Sequence, residues 1–358
     1  MVSSGDPERT PLPPDSAGES TDQANSAVFT KCLRNEQMKG DKIVLAGGKG
    51  FLGNLLRARF TQKAFEVVIL TREPKGGEGK ELYWDALKLG HWKESIEGSR
   101  ALINLTGRSV NCRYNEKNRR EIMDSRVDST RVLGAAVAGC ANPPKVWLNA
   151  STATIYRHSI STPTEESSTD FTATPEAKDA FSIQVAQAWE RAFEQVPIGA
   201  TRSTRRVALR MGMVLDIQQG TVFRVLRRLA TGGLGGKMGN GEQYVSWIHG
   251  LDFCRAIEWV IEHDELTGPI NISAPNPLPN NDLMAAFRRV CHRRFGLPAT
   301  KLMLEIGAFF LRTETELVLK SRRVIPGRLL ASGFEFRFPH LQSALEDLCA
   351  RVNNDGKP

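Results

Sequence analysis

Two stretches of this chain hold residues whose types and spacing could do chemistry. The first runs from Lys42 to Leu56, where the apolar run Ile43-Val44-Leu45-Ala46 meets Gly47-x-x-Gly50-x-x-Gly53, which also satisfies Gly48-x-Gly50-x-x-Gly53. Leu52, Leu55, Leu56 and Phe60 then follow with helical spacing. Strand, glycine turn and helix in this order make a cradle for the pyrophosphate of a dinucleotide. One glycine permits the tight turn, another lets the backbone approach the anion, and a third lets helix and strand pack closely, while free N–H groups at the helix start face the phosphate. Gly47, Gly48, Lys49, Gly50, Phe51, Leu52 and Gly53 are the candidate cradle residues. The second stretch is Ser151-Thr152-Ala153-Thr154-Ile155-Tyr156, rich in hydroxyl groups that can donate or accept a proton. Ser and Thr in such a place can equally satisfy local backbone groups.

The elements around these stretches read as a doubly wound parallel sheet of the Rossmann type. Glu66 to Arg72 is a second strand, Leu82 to Asp85 a third, Ala101 to Gly107 a fourth and Lys145 to Ala150 a fifth. Arg206 to Leu215 and Pro269 to Ser273 are two more. Ligands in such sheets bind outside the carboxyl ends of the strands, which makes Leu105, Thr106 and Gly107 candidate cofactor-wall residues. NAD-binding folds place an acid against the ribose 2′-hydroxyl roughly 20 residues beyond the glycines. Here Thr71-Arg72 stands at that strand end, and an arginine forks onto a 2′-phosphate. NADP(H) is therefore expected ahead of NAD(H). Between the fourth and fifth strands a helix is expected from about Glu116 to Ala138, interrupted near Asp124-Ser125-Arg126.

Further residues carry a family resemblance. They are the glycine turn, Asn104-Leu105-Thr106-Gly107, Ser125-Arg126-Val127, Gly233-Leu234-Gly235-Gly236, and Ser246-Trp247-Ile248-His249-x-x-Asp252. Asn271-Ile272-Ser273-Ala274-Pro275 and Arg323-Val324-Ile325-Pro326 complete the set. From about residue 41 to 346 the chain resembles the NAD(P)-dependent epimerase-like family of extended short-chain dehydrogenases, the group that ends in a small C-terminal domain of unknown function and includes members labelled cell-division inhibitor. The resemblance implies that the end of the fifth strand carries the hydroxyl that meets the substrate's reacting oxygen, and Ser151 and Thr152 are the candidates. It implies hydride transfer at a carbon bearing oxygen, on an unidentified carbonyl or sugar-type small molecule.

One expected part is missing. Short-chain dehydrogenases carry Tyr-x-x-x-Lys, in which the lysine lowers the tyrosine pKa so that the phenol works as acid or base. The chain has four tyrosines, and Leu87, Asn118, Ile160 and Ile248 stand four residues after them. Where the motif should fall the chain reads Phe181-Ser182-Ile183-Gln184-Val185. Tyr156 is a substitute candidate for the acid–base group. His249, with Asp252 to orient it, is another, although a histidine tying a strand to the cofactor domain and an aspartate capping a helix explain those two as well. The absent pair supports an alternative: a cofactor-binding regulatory or structural protein without turnover.

Composition sets the remaining limits. Hydrophobic content of 41% and charged content of 25% over 358 residues suit a soluble globular protein with one large core and a smaller second domain. No apolar run is long enough to span a bilayer, and no secretory signal core is present. The six cysteines are scattered without a Cys-x-x-Cys pair, which implies reduced thiols, no metal site and a cytoplasmic setting. The net charge of +8 comes from short clusters without interleaved aromatics, so neither nucleic acid nor a membrane is an expected partner. Residues 1–38 are expected to be a disordered extension, with Met38 a candidate translation start; 39–275 form the Rossmann domain, 276–350 a small mainly helical C-terminal domain, and 351–358 a tail. Within the C-terminal domain, helices are expected at Leu302 to Leu311 and Leu317 to Leu319, and a short strand at Phe334-x-Phe336-x-Phe338.

Overall fold

Seven of the apolar runs form one parallel sheet in the computed structural model, which describes residues 40–75, 80–197, 204–300, 303 and 316–355. The expected extension over residues 1–38 and nearly all of the Leu302 to Leu311 helix lie outside the described residues. The strands are β1 (Lys42–Ala46), β2 (Glu66–Thr71), β3 (Lys80–Tyr83), β4 (Ala101–Asn104), β5 (Val146–Thr152) and β6 (Arg205–Met211), with Gly268–Ile272 at the far edge. Their order is β3-β2-β1-β4-β5-β6 and then the edge strand, the doubly wound arrangement that reverses direction beside β1. Parallel strands covered on both faces must be apolar on both faces, and β1, β2, β4 and β5 are buried almost throughout.

Helix α1 (Phe51–Gln62) follows the glycine turn and buries Gly53, Leu56 and Phe60. Helix α2 (Glu116–Ala138) runs without a break, against the expected interruption. Ser125 is accommodated because its hydroxyl donates to the Ile122 carbonyl of the preceding turn and accepts from the Arg108 amide. Helix α3 (Ala180–Glu194) packs beside α2 and carries Phe181, Val185, Trp189 and Glu190. The expected strand from Arg206 to Leu215 breaks at Gly212, beyond which β7 (Met213–Leu215) leaves the main sheet. A side chain at Gly212 would come within 3.0 Å of the Ser246 carbonyl, so glycine permits the crossing.

β7 pairs with β9 (Trp247–His249), and β8 (Tyr244–Val245) pairs with β11 (Leu278–Pro279), once the edge strand is counted as β10. Helices α4 (Val222–Thr231), α5 (Gly250–Glu262) and α6 (Asn280–Val290) surround them. The chain ends in α7 (Glu316–Leu319), α8 (Gly327–Ala331) and α9 (Leu341–Asp355). Phe223, Trp247, Phe287, Phe338 and Leu345 share one core cluster, so the C-terminal helices close a second apolar core rather than lie on the first. The aromatic alternation from Phe334 to Phe338 is not a strand. Phe334 packs against Trp259 and edge-on to Phe336, while Phe338 stacks on His249.

Candidate active site

At the carboxyl ends of β1, β4, β5 and β6 lies a cavity of about 470 Å³. Phe51 and Leu52 from the start of α1, with Leu105 and Gly107 beyond β4, form one wall of it. Ser151 and Thr152 at the end of β5 border the same space, as do Phe181, Ser182 and Val185 of α3. Tight local geometry forms the cradle. Gly47 takes a φ of +73°, and a Cβ there would lie 2.9 Å from Thr106 Oγ1. A Cβ at Gly53 would stand 2.3 Å from the Gly48 carbonyl oxygen, so only glycine lets α1 start this close to the turn. The N-cap of α1 is Gly50, which offers no side-chain acceptor, and the first turn holds no acid. The first N–H groups of α1 are therefore open to an anion.

These observations test whether a dinucleotide fits. The turn is tied on both sides, since Gly47 N donates to Leu70 O at 3.0 Å and Leu105 N donates to Ala46 O at 2.9 Å. Thr106 Oγ1 is buried beside Gly47 without a hydrogen-bond partner among the described residues, a polar atom that a bound ribose or phosphate would satisfy. The cradle fits. Lys49 pairs with Glu81 at 2.9 Å, and Arg72 at the end of β2 is exposed and makes no ion pair among the described residues. Gly47, Gly48, Lys49, Gly50, Gly53, Arg72 and Thr106 do not border the cavity itself, which begins at Phe51. Among the described residues no cluster of His, Cys, Asp or Glu is placed to hold a metal ion.

Beneath the floor, Asn104 Nδ2 donates to Asn149 Oδ1 at 2.7 Å, and Asn104 Oδ1 accepts from Thr106 N at 3.0 Å. Thr130 joins this buried set and accepts from Trp189 Nε1 at 3.1 Å. The hydroxyl side is backed by charge. Ser151 Oγ donates to Glu190 Oε1 at 2.5 Å, and Arg210 Nε and Nη2 donate to the two Glu190 oxygens at 2.9 and 2.7 Å. Burial acts against the Arg210 charge, but the hydrogen-bonded Glu190 carboxylate outweighs it and raises the guanidinium pKa.

Tyr156 is not where its expected role requires. It is 2% exposed, lies outside the cavity lining, and its hydroxyl donates to Asn271 Oδ1 at 2.8 Å while accepting from Arg210 Nη1 at 3.0 Å. Burial raises its pKa further, so the phenol is a packed, hydrogen-bonded strut. His249 likewise serves structure: its Nδ1 accepts from Leu251 N at 3.0 Å at the start of α5, and its Nε2 faces Asp347 at 3.1 Å. Asp252 accepts from the Arg337 and Phe338 amides at 3.0 and 2.7 Å, fixing the C-terminal segment. Phe181 and Val185 do occupy the cavity wall where Tyr-x-x-x-Lys would stand.

Glu190 and Arg210 were hidden in the sequence because each sits in an ordinary helix or strand pattern; charge inside an apolar run was the sole signal. The C-terminal segment also supports the wall. Lys320 Nζ lies 2.7 Å from Asp179 and donates to the Thr154 carbonyl at 2.7 Å, while Ser182 Oγ donates to Glu316 at 2.7 Å. Burial brings the Lys320 ammonium down to about 8 and pushes the Glu316 carboxyl up.

Comparison with known proteins agrees with this architecture. Residues 43–273 match the NAD dependent epimerase/dehydratase family, and residues 299–348 match a domain of unknown function, DUF1731. The epimerase family protein YfhF of Bacillus subtilis is 31% identical over 314 residues, covering 86% of this chain and 98% of that protein. The human epimerase family protein SDR39U1 is 30% identical, with 86% and 100% covered. The crystal structure of human SDR39U1 (isoform 2) with NADPH superposes with a TM-score of 0.74 at 28% identity, covering 86% of this chain and 99% of that one. The UDP-N-acetylglucosamine 4-epimerase of Bacillus cereus shares the fold alone, with a TM-score of 0.67 at 16% identity over 89% of this chain and 98% of that one.

Proposed function

Since the chain belongs to the NAD dependent epimerase/dehydratase family, we propose that it is an NADP(H)-binding oxidoreductase or epimerase of a small molecule bearing a carbonyl or hydroxyl group. One observation carries the reading: a single cavity joins the phosphate-cradling helix start at Phe51 and Leu52 to the hydroxyls of Ser151 and Thr152. The family resemblance and the NADPH held by human SDR39U1 support the choice of cofactor. Gly47 to Gly53 would hold the pyrophosphate, Thr106 and Gly107 the ribose side, and Arg72 the 2′-phosphate.

Bound NADP(H) supplies the hydride acceptor or donor. The protein's part is to place the substrate oxygen and move one proton. Ser151 Oγ directs its own proton to Glu190, which leaves its lone pairs open to the cavity. The hydroxyl accepts the proton of a substrate alcohol as its own passes to Glu190; in reduction both transfers reverse. Arg210 holds the Glu190 carboxylate in place through two N–H groups. Thr152 accepts from Thr154 N at 3.1 Å and borders the same space as the second hydroxyl.

NADPH and NADH titrations followed by cofactor fluorescence test the first half. NADPH is expected to bind more tightly, and Arg72→Glu to weaken NADPH at least about tenfold more than NADH. Equal losses would remove the 2′-phosphate assignment. With NADPH and a panel of carbonyl compounds and nucleotide sugars, Ser151→Ala combined with Thr152→Ala is expected to lower turnover by about 10²-fold or more. Turnover surviving in that variant rejects both hydroxyls. A second reading, a cofactor-binding protein without turnover, is favoured by Phe181 and Val185 in the cavity wall, neither of which can transfer a proton.

A further inference from the structure

Arg126 is the one cation among the described residues that line the cavity. It projects from α2 into the space that Ser151 and Thr152 border. Its Nη1 donates to the carbonyl oxygens of Arg108 and Ile122 at 3.1 and 2.9 Å. Its Cζ lies 5.1 Å from the centre of the Trp189 ring, and a Cβ at Gly107 would come within 3.1 Å of it. Backbone, ring and glycine thus fix the guanidinium from different sides, and Gly107 keeps the room it occupies.

What it lacks among the described residues is a counter-charge. No carboxylate among the described residues pairs with Arg126, and its Nε and Nη2 donate to no acceptor there. Arg210, across α3, has both Glu190 oxygens. Burial pushes the Arg126 guanidinium down to about 10, still charged at neutral pH, with the Tyr114 phenol acting the other way. A charge partly withdrawn from water without a partner is unfavourable until a ligand completes it. The wall around it is apolar, formed by Val110, Ile122, Phe181, Val185 and Met213, which suits an organic anion better than a hydrated inorganic one.

We propose that Arg126 receives the carboxylate or phosphate of the substrate, making the substrate class a small organic acid or phosphate ester whose reacting carbonyl or hydroxyl meets Ser151. The reacting end of this assignment rests on the function proposed above; the anion end rests on Arg126 alone. The cofactor's own pyrophosphate offers the same chemistry, so the test must separate the two sources.

The full chain, alone and loaded with NADPH, is titrated with acetate, benzoate, benzoylformate and phenyl phosphate to about 10 mM, with the neutral acetophenone as control, following tryptophan and NADPH fluorescence. At least one anion is expected to bind while acetophenone does not. Arg126→Gln is expected to weaken that anion about tenfold or more, Arg126→Lys to restore part of the loss, and NADPH affinity to change less than about threefold in both. Circular dichroism of both variants establishes folding, and Gly107→Ala, which crowds the guanidinium without removing it, is expected to weaken the anion as well. Binding of none of the anions overturns the proposal. So does a loss of NADPH in Arg126→Gln that matches or exceeds the loss of the anion, which would give Arg126 to the cofactor. If NADPH fails to bind the unaltered protein, the cofactor assignment falls, while the titrations without NADPH still decide the role of Arg126.

Discussion

Arg210 and Arg126 lie near the same helix and have opposite circumstances. Arg210 faces away from the cavity and is closed by Glu190 and the Tyr156 hydroxyl, so its charge belongs to the frame. Arg126 faces into the cavity with a ring beneath it and, among the described residues, no carboxylate beside it. Two arginines packed around α3 are therefore not one kind of feature. Where the partner is internal the charge holds elements together, and where the partner is absent the charge awaits a ligand.

The sharpest way to break this comparison is to remove one partner from each site. Glu190→Gln leaves Arg210 without its counter-charge and is expected to lower unfolding stability by about 3–5 kcal/mol in urea titrations. Arg126→Gln should change stability by less than about 1 kcal/mol, since no carboxylate among the described residues is orphaned. Similar losses at both sites would show that Arg126 is as structural as Arg210. A smaller effect is expected at the cradle. Gly53→Ala places a methyl 2.3 Å from the Gly48 oxygen and should cost about 1–3 kcal/mol together with a clear loss of NADPH affinity. Full stability with unchanged binding would mean that the turn can open without harm.

The smallest expected effect is in pH dependence. Burial holds the His249 imidazole below its ordinary value, although Asp347 and Asp252 pull it upward. With the folded value depressed, the unfolded chain takes up the proton first as pH falls below about 6.5, so stability declines on acidification. His249→Asn should lose less melting temperature than the unaltered protein between about pH 7.5 and 5.5, a difference on the order of 1 kcal/mol or less. A steeper acid loss in the variant would reverse the sign assigned here.

The strand, glycine turn and helix were readable from the sequence because their demands are local. Gly47 to Gly53, the apolar strands and the turn residues Thr106 and Gly107 are each dictated by neighbours a few positions away. The surroundings of the proposed proton-handling residues were only partly readable. Ser151 and Thr152 follow from their place at a strand end, but Glu190 reaches Ser151 from 39 positions away, and Arg210 reaches Tyr156 from 54. Tyr156 is misjudged from sequence for the same reason: its position on the chain resembles that of a reactive phenol, while Asn271 and Arg210 from distant strands claim its oxygen. Ser125, read as a helix interruption, shows the reverse case, since a polar residue inside a helix costs little when its hydroxyl finds a nearby carbonyl.

The contact of Lys320 with Asp179 and with the Thr154 carbonyl has a consequence for how the protein is made. Thr154 follows the hydroxyl-bearing end of β5, yet the residue that fastens it is separated from it by 166 positions. The Rossmann strands can pair during synthesis as each emerges, but the loop beside Ser151 and Thr152 is tied down only after the segment around Lys320 has left the ribosome. The glycine turn, tied through Gly47 to Leu70 and through Ala46 to Leu105, thus has its partners early, while the end of β5 receives its last one late.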